Sequence, residues 1–113
     1  MTTEKVVITG LGMLTPCGNT RDATWDSILA GTNGVGSITQ FDPSELPVSI
    51  AGEVTDFDPK AHLSRVKVKE TSRFTQLAIV AAREAVADAQ LELTEAERER
   101  CGAIIGVGLG GLE

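Results

Sequence analysis

Two cysteines and one histidine are the residues with which this chain could carry out covalent chemistry. A nucleophilic thiol needs a depressed pKa and a base within reach. Cys17 follows Pro16 in a turn-forming stretch, and Cys101 opens a β-branched run, 84 positions further on. Each has the setting of a small buried side chain, and His62, within a cluster of bases, is equally well explained as a solvated imidazole. With no second cysteine close to either, the pair forms neither a disulfide framework nor a metal knuckle, so both are expected to be reduced thiols. No serine stands in a nucleophile-elbow pattern, and no His, Cys, Asp or Glu cluster has metal-ligand spacing. The residues alone therefore assign no catalytic group and no cofactor.

Glycine spacing raises a second possibility. Gly106, Gly108 and Gly111 satisfy G-x-G-x-x-G after an apolar run, the pattern that lays a pyrophosphate against a helix N-terminus. Too little sequence follows Gly111 to supply that helix or the acid that would hold a ribose. Close backbone packing, or a glycine-lined site for another ligand, fits these residues better.

Charge is unevenly distributed. The chain has 113 residues and a formal net charge of -6, which argues against a nucleic-acid surface. Asp42, Glu45, Glu53, Asp56 and Asp58 form an acidic stretch without a base. From Lys60 to Arg73 the sign reverses: Lys60, Arg65, Lys67, Lys69 and Arg73 face Glu70 alone, a local +4. Such a patch can recruit an anionic partner, or simply be a solvated loop that balances the acids before it.

The elements that must position these residues follow from periodicity. Lys5 to Leu11 is β-branched and stopped by glycine, which predicts a buried strand. Thr20 is placed to cap a helix over Arg21 to Ala30, with Trp25, Ile28 and Leu29 on one face and Gly31 ending it. From Thr32 to Pro59, three prolines and three further glycines predict loop, with a short strand near Val48 to Val54. The clearest helix spans about Arg73 to Gln90, capped by Ser72. It is apolar around most of its circumference, which predicts burial on several sides, and its alanines let a neighbour approach closely. Thr94 and Glu97 form a capping-box pair opening a turn that ends at Arg100. Cys101 to Val107 predicts a second strand.

This inventory does not close as a domain. Two or three strands cannot cover such a helix, because parallel strands need both faces covered and two-stranded sheets are marginal. The expectation is therefore a segment of a larger α/β domain. No apolar run approaches the roughly 20 residues of a membrane span, and the N-terminus lacks a signal-peptide pattern, so a cytoplasmic location is expected.

Several motifs carry a family resemblance. VVITGLGMLTPCGN (Val6 to Asn19) and TWDSILAGTNGV (Thr24 to Val35) resemble the amino-terminal segment of the beta-ketoacyl-acyl carrier protein synthases, especially the synthase II type. Phe41 and Asp42, the helix SRFTQLAIVAAREAVADAQL (Ser72 to Leu91) and GAIIGVGLGGL (Gly102 to Leu112) agree in order and spacing, so the likeness covers essentially the whole chain.

The resemblance implies an α/β class of fold, the N-terminal part of a thiolase-like layered α/β/α/β/α architecture, incomplete over residues 1–113. It implies decarboxylative Claisen condensation of an acyl thioester with malonyl-acyl carrier protein, by a homodimer whose cysteine nucleophile and two histidines lie in later motifs. Cys17, Cys101 and His62 match none of these, so the segment alone is expected to be inactive. Leu109, between Gly108 and Gly110, matches a family position that lines the acyl-chain pocket near the dimer interface. Lys69 matches a base that helps dock acyl carrier protein, with Arg65 and Lys67 nearby, while Val66 and Glu70 stand where relatives can carry bases. A polyketide ketosynthase or its chain-length partner, and a non-enzymatic interaction module, are the alternative readings.

Overall fold

The computed structural model describes residues 3–111, so Leu112, the end of the last motif quoted above, lies outside the described residues. In chain order the elements are α1 (Arg21–Leu29), β1 (Val35–Ser37), β2 (Ile50–Gly52), α2 (Pro59–His62), α3 (Arg65–Glu70), α4 (Arg73–Asp88) and α5 (Glu95–Arg98).

Local capping chemistry explains where most of the helices begin and end, although Ser72, at the N-cap of α4, makes no side-chain capping bond. Thr20 is the N-cap of α1, its Oγ1 accepting the Ala23 amide at 3.2 Å. At the other end Gly31, with φ +70°, reverses the chain, and the Gly31 and Thr32 amides donate to the Ile28 and Ser27 carbonyls at 3.1 and 2.9 Å. This is a Schellman closure. α4 ends the same way, the Gln90 and Leu91 amides donating to Ala87 and Val86, but with the non-glycine Gln90 at φ +49°. α5 opens on the expected capping box, the Thr94 amide donating to Glu97 Oε2 at 2.9 Å and the Glu97 amide to Thr94 Oγ1 at 3.4 Å.

β1 and β2 pair antiparallel, with Val35 opposite Gly52 and Ser37 opposite Ile50. β2 falls inside the expected Val48 to Val54 strand. Beyond the pair, Glu53 accepts the Thr39 hydroxyl at 2.8 Å and the Thr39 and Gln40 amides at 2.9 and 3.3 Å. These donors, the Thr39 hydroxyl foremost, hold the Glu53 carboxyl below the usual carboxylate range.

The structure corrects three expectations. Lys5 to Leu11 and Cys101 to Val107 are not strands, for among the described residues no strand pairs with either, and the Leu11 amide goes instead to the Asp88 carboxylate. β-branched composition favours an extended chain but cannot supply a partner. Their side chains are open to solvent, Val6 at 96% and Ile104 at 98% exposure. The third correction is the basic stretch, which is not a loop but the two short helices α2 and α3. Asp58 caps α2, accepting the Lys60 amide at 3.0 Å, with Pro59 at the first helical position, and Ser64 caps α3, accepting the Lys67 amide at 3.3 Å.

α4 is the organising element. Along one side it is lined by the segment of Gly10 and Gly12, where a Cβ on Gly12 would fall 1.9 Å from the Ala81 carbonyl oxygen and one on Gly10 2.2 Å from that of Ala85. The alanines of α4 therefore do admit a close neighbour, and that neighbour is bare backbone. Glu84 and Asp88 fix it, accepting the amides of Met13 (2.7 Å), Arg21 (2.8 Å) and Leu11 (3.0 Å), while the Arg21 guanidinium pairs with Asp88.

A second side of α4 holds the stretch before it. Phe57 and Leu63 are the buried hydrophobic residues among those described. The Phe57 ring stacks on His62 at 5.7 Å and receives the Arg73 guanidinium at 5.6 Å, while Arg73 also donates to the Val54 carbonyl. Buried Gln76 donates to the Val68 and Thr71 carbonyls at 3.1 and 2.7 Å, satisfying acceptors left over at the C-terminal end of α3.

The remaining apolar surface is uncovered by described residues. Trp25, Ile28 and Leu29 of α1 and Val86 of α4 all stand about half exposed or more. The radius of gyration is 17.3 Å, against about 13 Å for a compact chain of this length.

Candidate functional site

Two places gather the residues singled out from the sequence. The first is a groove of about 300 Å³ between α2 and α3, lined by Lys60, Arg65, Val68 and Lys69. Helical spacing explains its composition, since Arg65 and Lys69 are four positions apart and share a face of α3. Lys67, two positions from each, stands on the opposite face, exposed. The structure thus joins Arg65 to Lys69, separates Lys67 from them, and adds Lys60. Among the described residues none of these four bases is in an ion pair, so their charge faces outward.

Position in the groove is set from beneath. Leu63 separates α2 from α3 and is buried, and the Arg83 guanidinium of α4 donates to the His62 carbonyl at 2.7 Å at the end of α2. Gln76 does the same for the end of α3. His62 is thereby accounted for by its ring stack on Phe57 and its carbonyl bond.

The second place is the glycine turn. The chain bends at Gly108 and Leu109, and Gly111 takes φ +73°. Leu109 projects from the bend with 83% of its surface exposed. Behind it, Gly110 is closely approached: a Cβ there would fall 2.6 Å from Val107 Cγ1 and 2.9 Å from Phe74 Cε1. Gly108 has nothing within 4 Å of the corresponding point, so the turn is open there.

The two thiols and the imidazole are not assembled. Cys17 Sγ lies 3.8 Å from the Thr32 carbonyl oxygen, Cys101 is exposed, and His62 faces Phe57. Among the described residues no three His, Cys, Asp or Glu side chains are grouped to hold a metal ion. No helix is long and apolar enough to cross a membrane.

Sequence reading missed Lys60 as part of the groove, and it missed Gln76, Glu84 and Phe74 as the residues that hold these pieces. Lys60 had a signal in the Asp58–Pro59 helix start, and Gln76 in being a polar residue within an apolar helix. Glu84 and Phe74 had none, because their partners are distant backbone.

A solved structure titled "The ishigamide ketosynthase/chain length factor" superposes with a TM-score of 0.69 at 35% sequence identity, covering 76% of this chain and 21% of that one. The architecture is therefore the N-terminal part of a ketosynthase, thiolase-like fold. The chain belongs to the beta-ketoacyl synthase family, residues 3–113 matching the model of the family's N-terminal domain. It is 46% identical over 110 residues to the 3-oxoacyl-[acyl-carrier-protein] synthase 2 of Staphylococcus aureus (strain COL), covering 97% of this chain and 27% of that protein. It is 42% identical over 110 residues to the protein of the same name from Synechocystis sp. (strain ATCC 27184 / PCC 6803 / Kazusa), covering 97% of this chain and 26% of that one. The chain thus spans about a quarter of the length of the curated relatives it matches.

Proposed function

We propose that this chain is the N-terminal segment of a 3-oxoacyl-[acyl-carrier-protein] synthase of the synthase II type, acting in fatty acid elongation. The observation that carries this reading is the 46% identity to a synthase 2 over nearly the whole chain. In the proposed reaction a cysteine thiolate supplied by the rest of the synthase displaces the carrier thiol and keeps the acyl group as a thioester. Malonyl-carrier protein then loses carbon dioxide. The carbanion so formed attacks the thioester carbonyl, a new carbon–carbon bond forms, and the cysteine thiolate leaves.

Within that cycle this segment contributes binding. The bases Arg65, Lys67 and Lys69, joined by Lys60, form a positive surface for the acidic acyl carrier protein. Leu109, flanked by Gly108 and Gly110, forms part of the wall that the acyl chain meets. The uncovered apolar faces of α1 and α4 and the unpaired β-branched segments support residues 1–113 being part of a larger domain; a cytoplasmic homodimer goes with the synthase reading.

The test uses a synthase-length protein carrying this segment, supplied with acyl- and malonyl-carrier protein. Carbon dioxide release matched by one 3-oxoacyl product per turnover is expected, and no mass gain on Cys17 or Cys101 when the 113-residue chain alone meets acyl-carrier protein. Acylation of either thiol would overturn the assignment. The likeness to a ketosynthase/chain length factor favours a second reading, a polyketide ketosynthase, for which repeated condensation without intervening reduction would be the product signature.

A further inference from the structure

We infer that Phe74, on the first turn of α4, is the positioning residue that sets how far Leu109 reaches toward the acyl chain, and so which chain lengths are accepted. This role rests on the reading of Leu109 as part of the acyl-pocket wall.

The geometry is a ring behind a turn. Leu109 is 83% exposed and sits between two residues that lack side chains. Nothing beyond the turn holds it on the Gly108 side, where the point of a would-be Cβ has no neighbour within 4 Å. On the Gly110 side the Phe74 ring lies against the backbone, with Cε1 and Cζ 2.9 and 3.0 Å from the corresponding point. The same ring edge lies 3.7 Å from that point on Gly111, whose φ of +73° makes the turn possible. Two side chains therefore back Gly110, Val107 from the same segment at 2.6 Å and Phe74 from α4, and Phe74 is the stop that a separate element supplies.

Phe74 is 37% exposed, and its support comes from its helix. It belongs to a 16-residue helix anchored on neighbouring sides by Arg73, Gln76 and Glu84. A glycine-rich turn has more conformations to choose from than any other backbone, so a rigid stop decides where its one large side chain stands. Chain-length discrimination depends on displacements of about one methylene, worth roughly tenfold or more in a tight apolar pocket.

The two sides of this contact predict opposite shifts. Phe74→Ala removes the stop, lets Leu109 retreat, and should raise kcat/KM for long relative to short acyl-carrier substrates by roughly threefold or more. Gly110→Ala places a methyl against Val107 Cγ1 and the Phe74 ring, pushes the turn away from them toward the pocket, and should lower the same ratio. Phe74→Leu keeps most of the apolar bulk and should fall between wild type and Phe74→Ala, which keeps the test readable if the alanine variant folds poorly.

The experiment measures that ratio in a synthase-length protein for wild type, Phe74→Ala, Phe74→Leu, Gly110→Ala, Leu109→Phe and the Leu109→Ala, Phe74→Ala double variant. Leu109→Phe should favour short chains, and Phe74→Ala should have no further effect on the ratio once Leu109 is alanine, because it acts through that side chain. If Leu109→Phe shifts the ratio while Phe74→Ala and Phe74→Leu scale all chain lengths equally, Phe74 is merely structural and the inference is overturned. If Leu109→Phe leaves the ratio unchanged, the pocket reading fails first, and the role of Phe74 fails with it.

Discussion

The carboxylate of Glu84, in the fourth turn of α4, accepts the backbone amide of Arg21, the first residue of α1, at 2.8 Å. Its second oxygen accepts the Met13 amide at 2.7 Å, so one half-buried side chain spans both ends of the turn between the Gly10–Gly12 segment and α1. A helix N-terminus leaves its first amides without intrahelical partners, and an anion from a different element meets that need here. Charge-assisted bonds of this type contribute about 1.5–3 kcal/mol each. Glu84→Gln keeps one acceptor and presents an amide to the other donor, so a loss of about 2 kcal/mol is expected, and more for Glu84→Ala. Native-state hydrogen exchange of the Met13 and Arg21 amides reads the effect locally. Unchanged protection would show that the clamp is idle.

Asp88 gives the same junction a pH dependence. The Arg21 guanidinium, with the Leu11 amide adding to it, holds the Asp88 carboxyl below the usual carboxylate range. Because the folded-state pKa is the depressed one, the contribution is fully present above the unfolded value near ~3.9 and is lost as pH falls through the lower folded value. Thermal stability of a synthase-length protein should therefore fall on acidification below about pH 4 more steeply in wild type than in Asp88→Asn. Parallel pH profiles would remove the ion pair from consideration.

Gly12 tests the packing of bare backbone on α4. A Cβ there would fall 1.9 Å from the Ala81 carbonyl oxygen and 2.8 Å from the Ala85 amide nitrogen, both in rigid helix backbone that cannot yield like a side chain. Gly12→Ala is expected to cost about 3 kcal/mol or more, beyond the ordinary range for a single added methyl. Gly36→Ala is the control, since nothing lies within 4 Å of its would-be Cβ. Similar midpoints for the two variants in denaturant would contradict the close approach.

What could be read from the sequence was local. Thr20, Gly31, Thr94 and Glu97 act within a few residues of themselves, and the helix ends they specify are the ones observed. The alanines of α4 foretold a close neighbour. The β-branched runs from Lys5 and from Cys101 specified a preference without a partner, and no described segment pairs with them. The run of bases gives α2 and α3 no periodic apolar face, and only Asp58–Pro59 and Ser64 mark their starts. Of the candidate site, Arg65, Lys67 and Lys69 stand together in sequence, and only the winding of α3 separates Lys67 from the other two. The backing of Gly110 by Phe74 was invisible, because 36 positions separate two residues that no local rule links.

Gln90 is a place where the chain departs from its best local solution. It closes α4 at φ +49°, a left-handed conformation that costs a residue with a Cβ about 1 kcal/mol and glycine almost nothing. The side chain is exposed and enters no hydrogen bond among the described residues. Gln90→Gly is therefore expected to stabilise the protein by roughly 0.5–1 kcal/mol, part of the gain being lost to the greater freedom of glycine in the unfolded chain. A raised melting temperature supports the assignment of this closure. A lowered one would mean that the turn does not hold its left-handed form.

The α2–α3 groove makes the proposed carrier docking specific to faces rather than to total charge. Lys60, Arg65 and Lys69 line one groove and Lys67 stands on the other side of α3. Reversing Lys60 and Lys69 together to Glu should raise KM for a carrier-linked acyl substrate by roughly tenfold at low salt and leave KM for the matching coenzyme A thioester nearly unchanged. Lys67→Glu should have the smaller effect of a charge seen only at a distance, and added salt should shrink both differences, since exposed charges are screened over about 8 Å at physiological ionic strength. Equal losses with carrier-linked and coenzyme A substrates would place the damage in the fold rather than in docking. A Lys67→Glu effect equal, per charge reversed, to that of the groove reversals would mean that the surface acts through its net charge, with no preferred face for the carrier.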